Sequence, residues 1–319
     1  MLGPNELAPF ASTPAPLHQK YITYIEPFLK KIIRDDRMPQ RLTLIQSSAI
    51  QPLEALYCPS LNQTSEALTV IISPEIASNT EDLLKIIVHE FIHDYFYKRK
   101  ITPPLWFEEG TALLAEFILS GAPSGAAIVE HFQKPQASFL KDISDPELSL
   151  AAYGEAQLFF IYLHNFLGDE LLTELLNGPL TSQPLEPATL NQIISSSKSP
   201  WRNFNEAYRA FQIAKYINRI DYFATNTLDQ KKYFIFQSTL HANLSLTNAP
   251  SMTAIGLPIA TGSIQKNPTT CNAIYNSKYE PIKITQLKDS AAISRNPDQL
   301  QNTNEHFIIC TSRDITFAR

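Results

Sequence analysis

The chain has 319 residues and a formal net charge of −5, and 44% of it is hydrophobic against 18% charged, so it is a folded protein long enough for a large core and two domains. Glycine is scarce (9) and proline plentiful (23), and neither G-x-x-x-x-G-K-S/T nor G-x-G-x-x-G occurs, which excludes the usual phosphate-cradling loops. Without a run of lysines or arginines it lacks the basic face that nucleic acid demands, and no stretch approaches the ~20 apolar residues of a membrane span.

In chain order, Pro4, Pro9, Pro14 and Pro16 predict an extended leader over residues 1–18. The leader shows neither the basic start nor the apolar core of a secretory signal. The expected setting is therefore the cytosol, or a compartment reached without a cleaved signal, as by an effector delivered into another cell. Tyr21, Ile25, Phe28, Leu29, Ile32 and Ile33 recur at helical spacing and predict a helix ending near Arg34. The short β-rich runs Arg41–Ile45 and Leu68–Ile72, bounded by Pro, Asn and Ser, predict strands. A helix with two marked ends follows. Ser78, Asn79 and Thr80 offer N-caps with Glu81 and Asp82 beside the positive end; Lys98, Arg99 and Lys100 suit the negative end, and Pro103 and Pro104 stop it. A second helix is predicted from about Leu105 to Leu119, then a loop holding Gly121 and Gly125, then helices near 150–167, 169–177, 187–196 and 202–219.

From residue 229 the texture changes to β-rich runs at 231–240, 251–260, 282–286 and 306–311, separated by Asn, Pro and Ser. Nine basic and six acidic residues give this tail +3, whereas 17 basic and 25 acidic residues give the first 228 residues −8. The expected organisation is a main domain at 19–228 and a β-rich accessory domain at 229–319. Three cysteines, Cys58, Cys271 and Cys310, are too few for a disulfide framework or a cysteine zinc site. They read as buried free thiols, with Cys271 and Cys310 the pair that an oxidising compartment could close.

The chemistry concentrates in Val88-His89-Glu90-Phe91-Ile92-His93-Asp94. Histidines at i and i+4 share a helix face, close enough for both imidazoles to reach one Zn²⁺. Glu90, turned ~100° from His89 about the helix axis, can approach water on the ion without ligating it. This is H-E-x-x-H, where the glutamate is the general base. Chance places the pattern in a chain of this make-up only about 0.01 times, and here it falls inside a predicted helix.

Catalytic zinc takes a third protein ligand and keeps one position open. The H-E-x-x-H-x-x-G-x-x-H variant is excluded, because Phe96 and Arg99 stand where its glycine and third histidine would be. Downstream lies Leu105-Trp106-Phe107-Glu108-Glu109-Gly110-Thr111-Ala112. The first helix runs ~9 Å past His93, the Thr102-Pro103-Pro104 turn reverses the chain, and the second helix brings Glu109 or Glu108 back toward the histidines.

With H-E-x-x-H followed by Trp-Phe-Glu-Glu-Gly, the segment resembles the gluzincin (peptidase MA-like) zinc metallopeptidases. The resemblance spans roughly residues 65–175. It implies an α+β fold with a zincin-like core of small sheet, active-site helix and helical lower subdomain. It assigns the third ligand to the glutamate before the glycine, Glu109, and places a strand of the Leu68–Ile72 kind ahead of the active helix, with substrate pairing along its edge. Tyr153-Gly154-Glu155-Ala156 resembles the start of a helix whose leading tyrosine faces the metal in these proteins. Residues 229–319 resemble nothing in the family.

The expected protein is thus a zinc-dependent endopeptidase, a hydrolase acting on protein or peptide substrates. His89, His93 and Glu109 are its metal ligands, Glu90 its general base and Tyr153 a donor to the oxyanion. A non-catalytic protein-interaction module that retains the peptidase-like fold is the alternative. Glu116, on the Glu109 face, reads as an outer or solvated carboxylate, and Asp94 as a surface aspartate or an orienting partner for a ligand histidine. His131, His164 and His241 read as structural or exposed, and Cys58 as inert.

Overall fold

The computed structural model describes residues 8–9, 19–34, 41–50, 54–59, 67–77, 79–134, 137–140, 142–178, 188–196, 199–216, 255–258, 270–275, 283–287 and 306–311. It is a mixed α+β protein, mostly helical, with a small sheet near the N-terminus. In chain order the elements are β1 (Ala8–Pro9), a π-helical turn (Tyr21–Ile25) leading into α1 (Glu26–Ile32), β2 (Arg41–Gln46), β3 (Ala55–Tyr57), β4 (Ala67–Ile72), α2 (Pro74–Ala77), α3 (Thr80–Lys98) and α4 (Leu105–Ser120). They continue with α5 (Gly125–Gln133), α6 (Ser149–Leu167), α7 (Glu170–Asn177), α8 (Ala188–Ser196), α9 (Phe204–Tyr216), β5 (Ile255–Pro258), β6 (Thr270–Tyr275), β7 (Lys283–Leu287) and β8 (His306–Thr311). Two compact units divide these elements: Met1–Ser124 with Leu167–Ile193, and Gly125–Phe166 with Ile194–Arg319.

The first unit is built on a sheet of order β1-β2-β4-β3. β2 and β4 run parallel from Arg41↔Ala67 to Gln46↔Ile72, and β3 lies antiparallel on the far side of β4, with Ala55 opposite Ile72 and Tyr57 opposite Val70. Leu68, Val70, Ile71 and Ile72 are all buried, as an interior strand requires. The expected strand 68–72 is therefore present, but neighbours occupy both of its sides. Among the described residues the sheet's edges belong to β1 and β3, which corrects the expectation of a substrate-pairing edge on Leu68–Ile72. Three residues are too few for a period-2 pattern to mark β3 in the sequence.

α3 starts where its chemistry predicts. The Asn79 side chain accepts from the backbone N–H groups of Glu81 and Asp82, and Glu81 and Asp82 occupy the first turn. It ends in a Schellman-type turn, in which Ile101 N–H donates to Phe96 C=O at 3.0 Å while Lys100 takes a left-handed φ of 56°. α4 packs back on α3 through buried Phe96 and Phe107, whose ring centroids are 6.3 Å apart. Asn177 ties three helices of this unit. Its amide donates to the Ile32 and Thr173 carbonyls, and its oxygen accepts from the Arg34 N–H and the Tyr95 hydroxyl. The lower end of α3 is thereby pinned to α1 and α7.

The second unit has an aromatic core in which Phe159 touches Phe139, Phe204, Tyr208 and Phe211, at centroid distances of 5.2–5.8 Å. Beside it lies a buried polar cluster. Glu155 accepts from Lys215 Nζ (2.8 Å), Gln212 Nε2 (2.8 Å) and the Phe139 N–H (3.1 Å), and Lys215 Nζ also meets His131 Nε2 at 3.1 Å. His131 is thus structural, as expected. Its helix, α5, was expected to be loop: glycines punctuate the segment, and a histidine stands on the buried stripe with Ala127 and Ile128. Further along the chain β5, β8, β6 and β7 pair antiparallel in that order. Of the expected β-rich runs, 306–311 matches β8, 282–286 overlaps β7, and the described part of 251–260 is β5. The run 231–240 and the 228/229 boundary lie outside the described residues, as does the leader apart from Ala8–Pro9. β6 was not expected; in the β6–β8 register Cys271 is the partner of Cys310.

Candidate metal centre

His89, Glu90 and His93 all sit in the middle of α3, and Glu108, Glu109 and Glu116 on α4. Helical phase puts both histidine rings on the face that meets α4, 4.9 Å apart at their centroids. Each ring is tied at its Nδ1: His89 to Glu116 Oε1 at 2.6 Å, His93 to Glu108 Oε1 at 2.7 Å. A carboxylate only accepts, so both Nδ1 atoms carry a proton and the Nε2 atoms are the positions left to bind a metal ion. The two Nε2 atoms face Glu109, His89 Nε2 at 3.3 Å from Oε2 and His93 Nε2 at 3.7 Å from Oε1. Among the described residues these three side chains form the one group able to hold a metal ion, with ligand atoms all within 4.8 Å of one another.

This arrangement distinguishes the two glutamates that the spacing alone left open. Glu109 faces both Nε2 atoms, and Glu108 lies behind His93 as its hydrogen-bond partner. Glu116, seven residues after Glu109, does the same for His89. Burial opposes protonation of His89, but hydrogen bonds and negative charge from Glu109 and Glu116 outweigh it and hold its pKa well above the usual value. Burial likewise pushes Glu109 upward, and contact with His89 together with the charge of His93 brings it below the ordinary carboxylate range.

Glu90 points away from this triad by one helical step and is 7% exposed. Burial raises its pKa and the Glu109 charge adds to the rise, while the two histidines and a hydrogen bond from the Tyr57 backbone pull the other way. Tyr57 is the residue that sequence reasoning missed. It is the last residue of β3, its hydroxyl donates to Asp94 Oδ1 at 2.8 Å, and its ring meets Tyr97 edge-on at 6.2 Å. Burial and the Asp94 charge raise the phenol pKa, so it stays a neutral donor. Asp94 is neither a surface residue nor a partner of a ligand histidine. It is wholly buried, and its second oxygen pairs with Lys98 Nζ at 2.6 Å. Only the pairing of β3 with β4 brings Tyr57 over α3, and nothing local in Glu54-Ala55-Leu56-Tyr57 signals it.

Tyr153 stands in the second unit, half-buried near the start of α6. Cys58 is not in a disulfide and has intermediate exposure. No helix among the described residues is long and apolar enough to cross a membrane. No family model matches the chain, and no curated protein matches it in sequence.

Proposed function

We propose that the protein is a zinc metallopeptidase of the gluzincin kind with a zincin-like core, hydrolysing peptide bonds in a protein or peptide substrate. The observation that carries this reading is the convergence of two histidine Nε2 atoms on the Glu109 carboxylate, at 3.3 and 3.7 Å. Two atoms bound to one zinc at ~2.0–2.1 Å in tetrahedral geometry are ~3.3–3.4 Å apart, so the group fits that ion with small adjustment. The donor set of two imidazoles and one carboxylate is also the one found in catalytic zinc sites of hydrolases.

His89, His93 and Glu109 would hold the ion. When bound, zinc supplies Lewis acidity that makes water a better nucleophile near neutral pH and polarises the scissile carbonyl. Glu90 takes the proton from the attacking water and hands it to the leaving amine. Glu108 and Glu116 fix the ring orientation and tautomer of the two histidines. Tyr153 takes the role of donor to the oxyanion on the strength of the sequence resemblance.

The test is metal analysis together with mapping of new N-termini in a lysate digested by wild type or by Glu90→Gln. The amide keeps the shape of the side chain but cannot accept a proton. One zinc per chain is expected in both proteins, with cleavage by the variant lower by about 10²–10⁴-fold. Equal cleavage by the two proteins, or a wild type that binds zinc yet generates no new termini, overturns the peptidase reading. The latter result favours a binding module.

A further inference from the structure

We infer that Cys271 and Cys310 form a structural disulfide across β6 and β8 when the protein enters an oxidising compartment. The inference stands independently of the metallopeptidase reading, whose candidate ligands His89, His93 and Glu109 include no sulfur. β6 and β8 are the two inner strands of the sheet β5-β8-β6-β7. They pair antiparallel from Thr270↔Thr311 to Tyr275↔His306, and Cys271↔Cys310 is one pair of that register. The chain has only three cysteines, and two of them occupy this one pair. Directly opposite residues of an antiparallel pair share a face of the sheet, with Cα atoms about 4.5 or 5.5 Å apart according to their place in the hydrogen-bond alternation. Both separations lie inside the ~4.4–6.8 Å that disulfides span. A slip of one residue would put the two cysteines on opposite faces, so the register itself is what makes the bond possible.

The same row of the sheet runs on to Ile255 beyond Cys310 and to Leu287 beyond Cys271. It holds no lysine, arginine or histidine, the neighbours that lower a thiol's pKa in reactive cysteine pairs. The placement suits a structural cross-link and not a redox-active dithiol. What the bond secures is β8. Residues 276–305 separate it in sequence from β6, so the link closes a loop of about 40 residues at the centre of the sheet. The chemistry is thiol–disulfide exchange with a small disulfide such as oxidised glutathione. One cysteine thiolate attacks it, forming a mixed disulfide and releasing one glutathione thiolate. The second cysteine thiolate attacks the protein sulfur of that mixed disulfide and releases the other. Two protein thiols are oxidised, one glutathione disulfide is reduced to two thiols, and the two cysteine protons pass to them.

The full-length protein, purified with its thiols reduced, is incubated under native conditions with oxidised glutathione, alkylated and digested with trypsin. The expected product is one linked pair of peptides, 267–278 with 296–313, formed within single chains and in more than ~90% of them. Cys58→Ser should give the same pair, and Cys271→Ser should give no intramolecular link. Dithiothreitol should reduce the bond at least ~10-fold more slowly in the folded protein than in guanidinium chloride, because folding limits access to the sulfurs. A link that includes Cys58, a link between two molecules, or Cys271 and Cys310 left unlinked overturns the proposal. So does equal reduction of the bond in folded and unfolded protein, which would mark a bond formed outside the sheet.

Discussion

At the residue scale the centre depends on which atom of each imidazole is free. A metal ion takes one nitrogen of each ring, and Glu116 and Glu108 leave Nε2 for it by accepting the Nδ1 proton. The consequence is measurable without any substrate. Glu116→Ala removes the acceptor behind His89, letting the ring turn and exchange tautomers, and zinc affinity in a chelator competition should fall by about 10–100-fold. Glu116→Gln, whose carbonyl oxygen can still accept, should recover most of that loss. Equal affinity in all three proteins would mean that packing alone orients His89. The local code could announce His89, Glu90 and His93 because their spacing depends only on the helical repeat. It could not separate Glu108 from Glu109, which are adjacent and chemically identical; the rotation at which α4 docks on α3 does that.

At the element scale α5 and α6 of the second unit approach closely at Gly154 on α6. A Cβ there would lie 2.1 Å from the Ala127 carbonyl oxygen and 2.6 Å from its carbon, both backbone atoms of α5 that cannot swing aside. Gly154→Ala should therefore separate α5 from α6, with a cost at the upper end of the ~1–3 kcal/mol typical of overpacking. Gly125→Ala is the control: nothing lies within 4 Å of its would-be Cβ, and it should leave the melting temperature almost unchanged. Equal melting temperatures for wild type and Gly154→Ala would show that the two helices are free to spread. The same contact explains why the sequence does not announce α5. Its buried stripe is completed by His131 and by the proximity of another helix, neither of which a hydrophobic pattern registers.

At the scale of the whole molecule, the buried Glu155–Lys215–His131 cluster makes stability depend on pH. Burial, and then the Lys215 charge, lower the His131 pKa to about 3. An unfolded histidine titrates near ~6.5. Below that pH the unfolded chain gains a proton that the folded chain refuses, so stability drains away as pH falls from about 6.5 toward 3. Burial pushes Glu155 upward, but Lys215 and His131 more than reverse this and lower its pKa. Its contribution is present above the unfolded carboxylate value and is lost as pH falls through the lower folded one. His131→Gln keeps an acceptor for Lys215 and cannot titrate. The slope of unfolding free energy against pH between about 6 and 4 should flatten by ~1.4 kcal/mol per pH unit. Denaturant melts across that range decide the point, and an unchanged slope would place the acid sensitivity elsewhere.

The sequence by itself determined the features that depend on neighbours a few residues away. These are the Asn79 cap, the Pro103–Pro104 stop, the helical periods of α3, α4, α6, α7 and α9, and the i, i+4 histidines with the glutamate between them. Each is dictated by backbone hydrogen bonding and helix geometry within a turn or two. Tertiary structure alone decided that β4 is enclosed and that β3, too short to show a period, is an edge. It also decided that Glu109 faces the Nε2 atoms while Glu108 and Glu116 stand behind the rings, and that Asp94 is buried under Tyr57. Those outcomes are set by how one helix rotates against another and by which strand completes the sheet. Both depend on contacts between segments distant in the chain, which no local pattern of residues encodes.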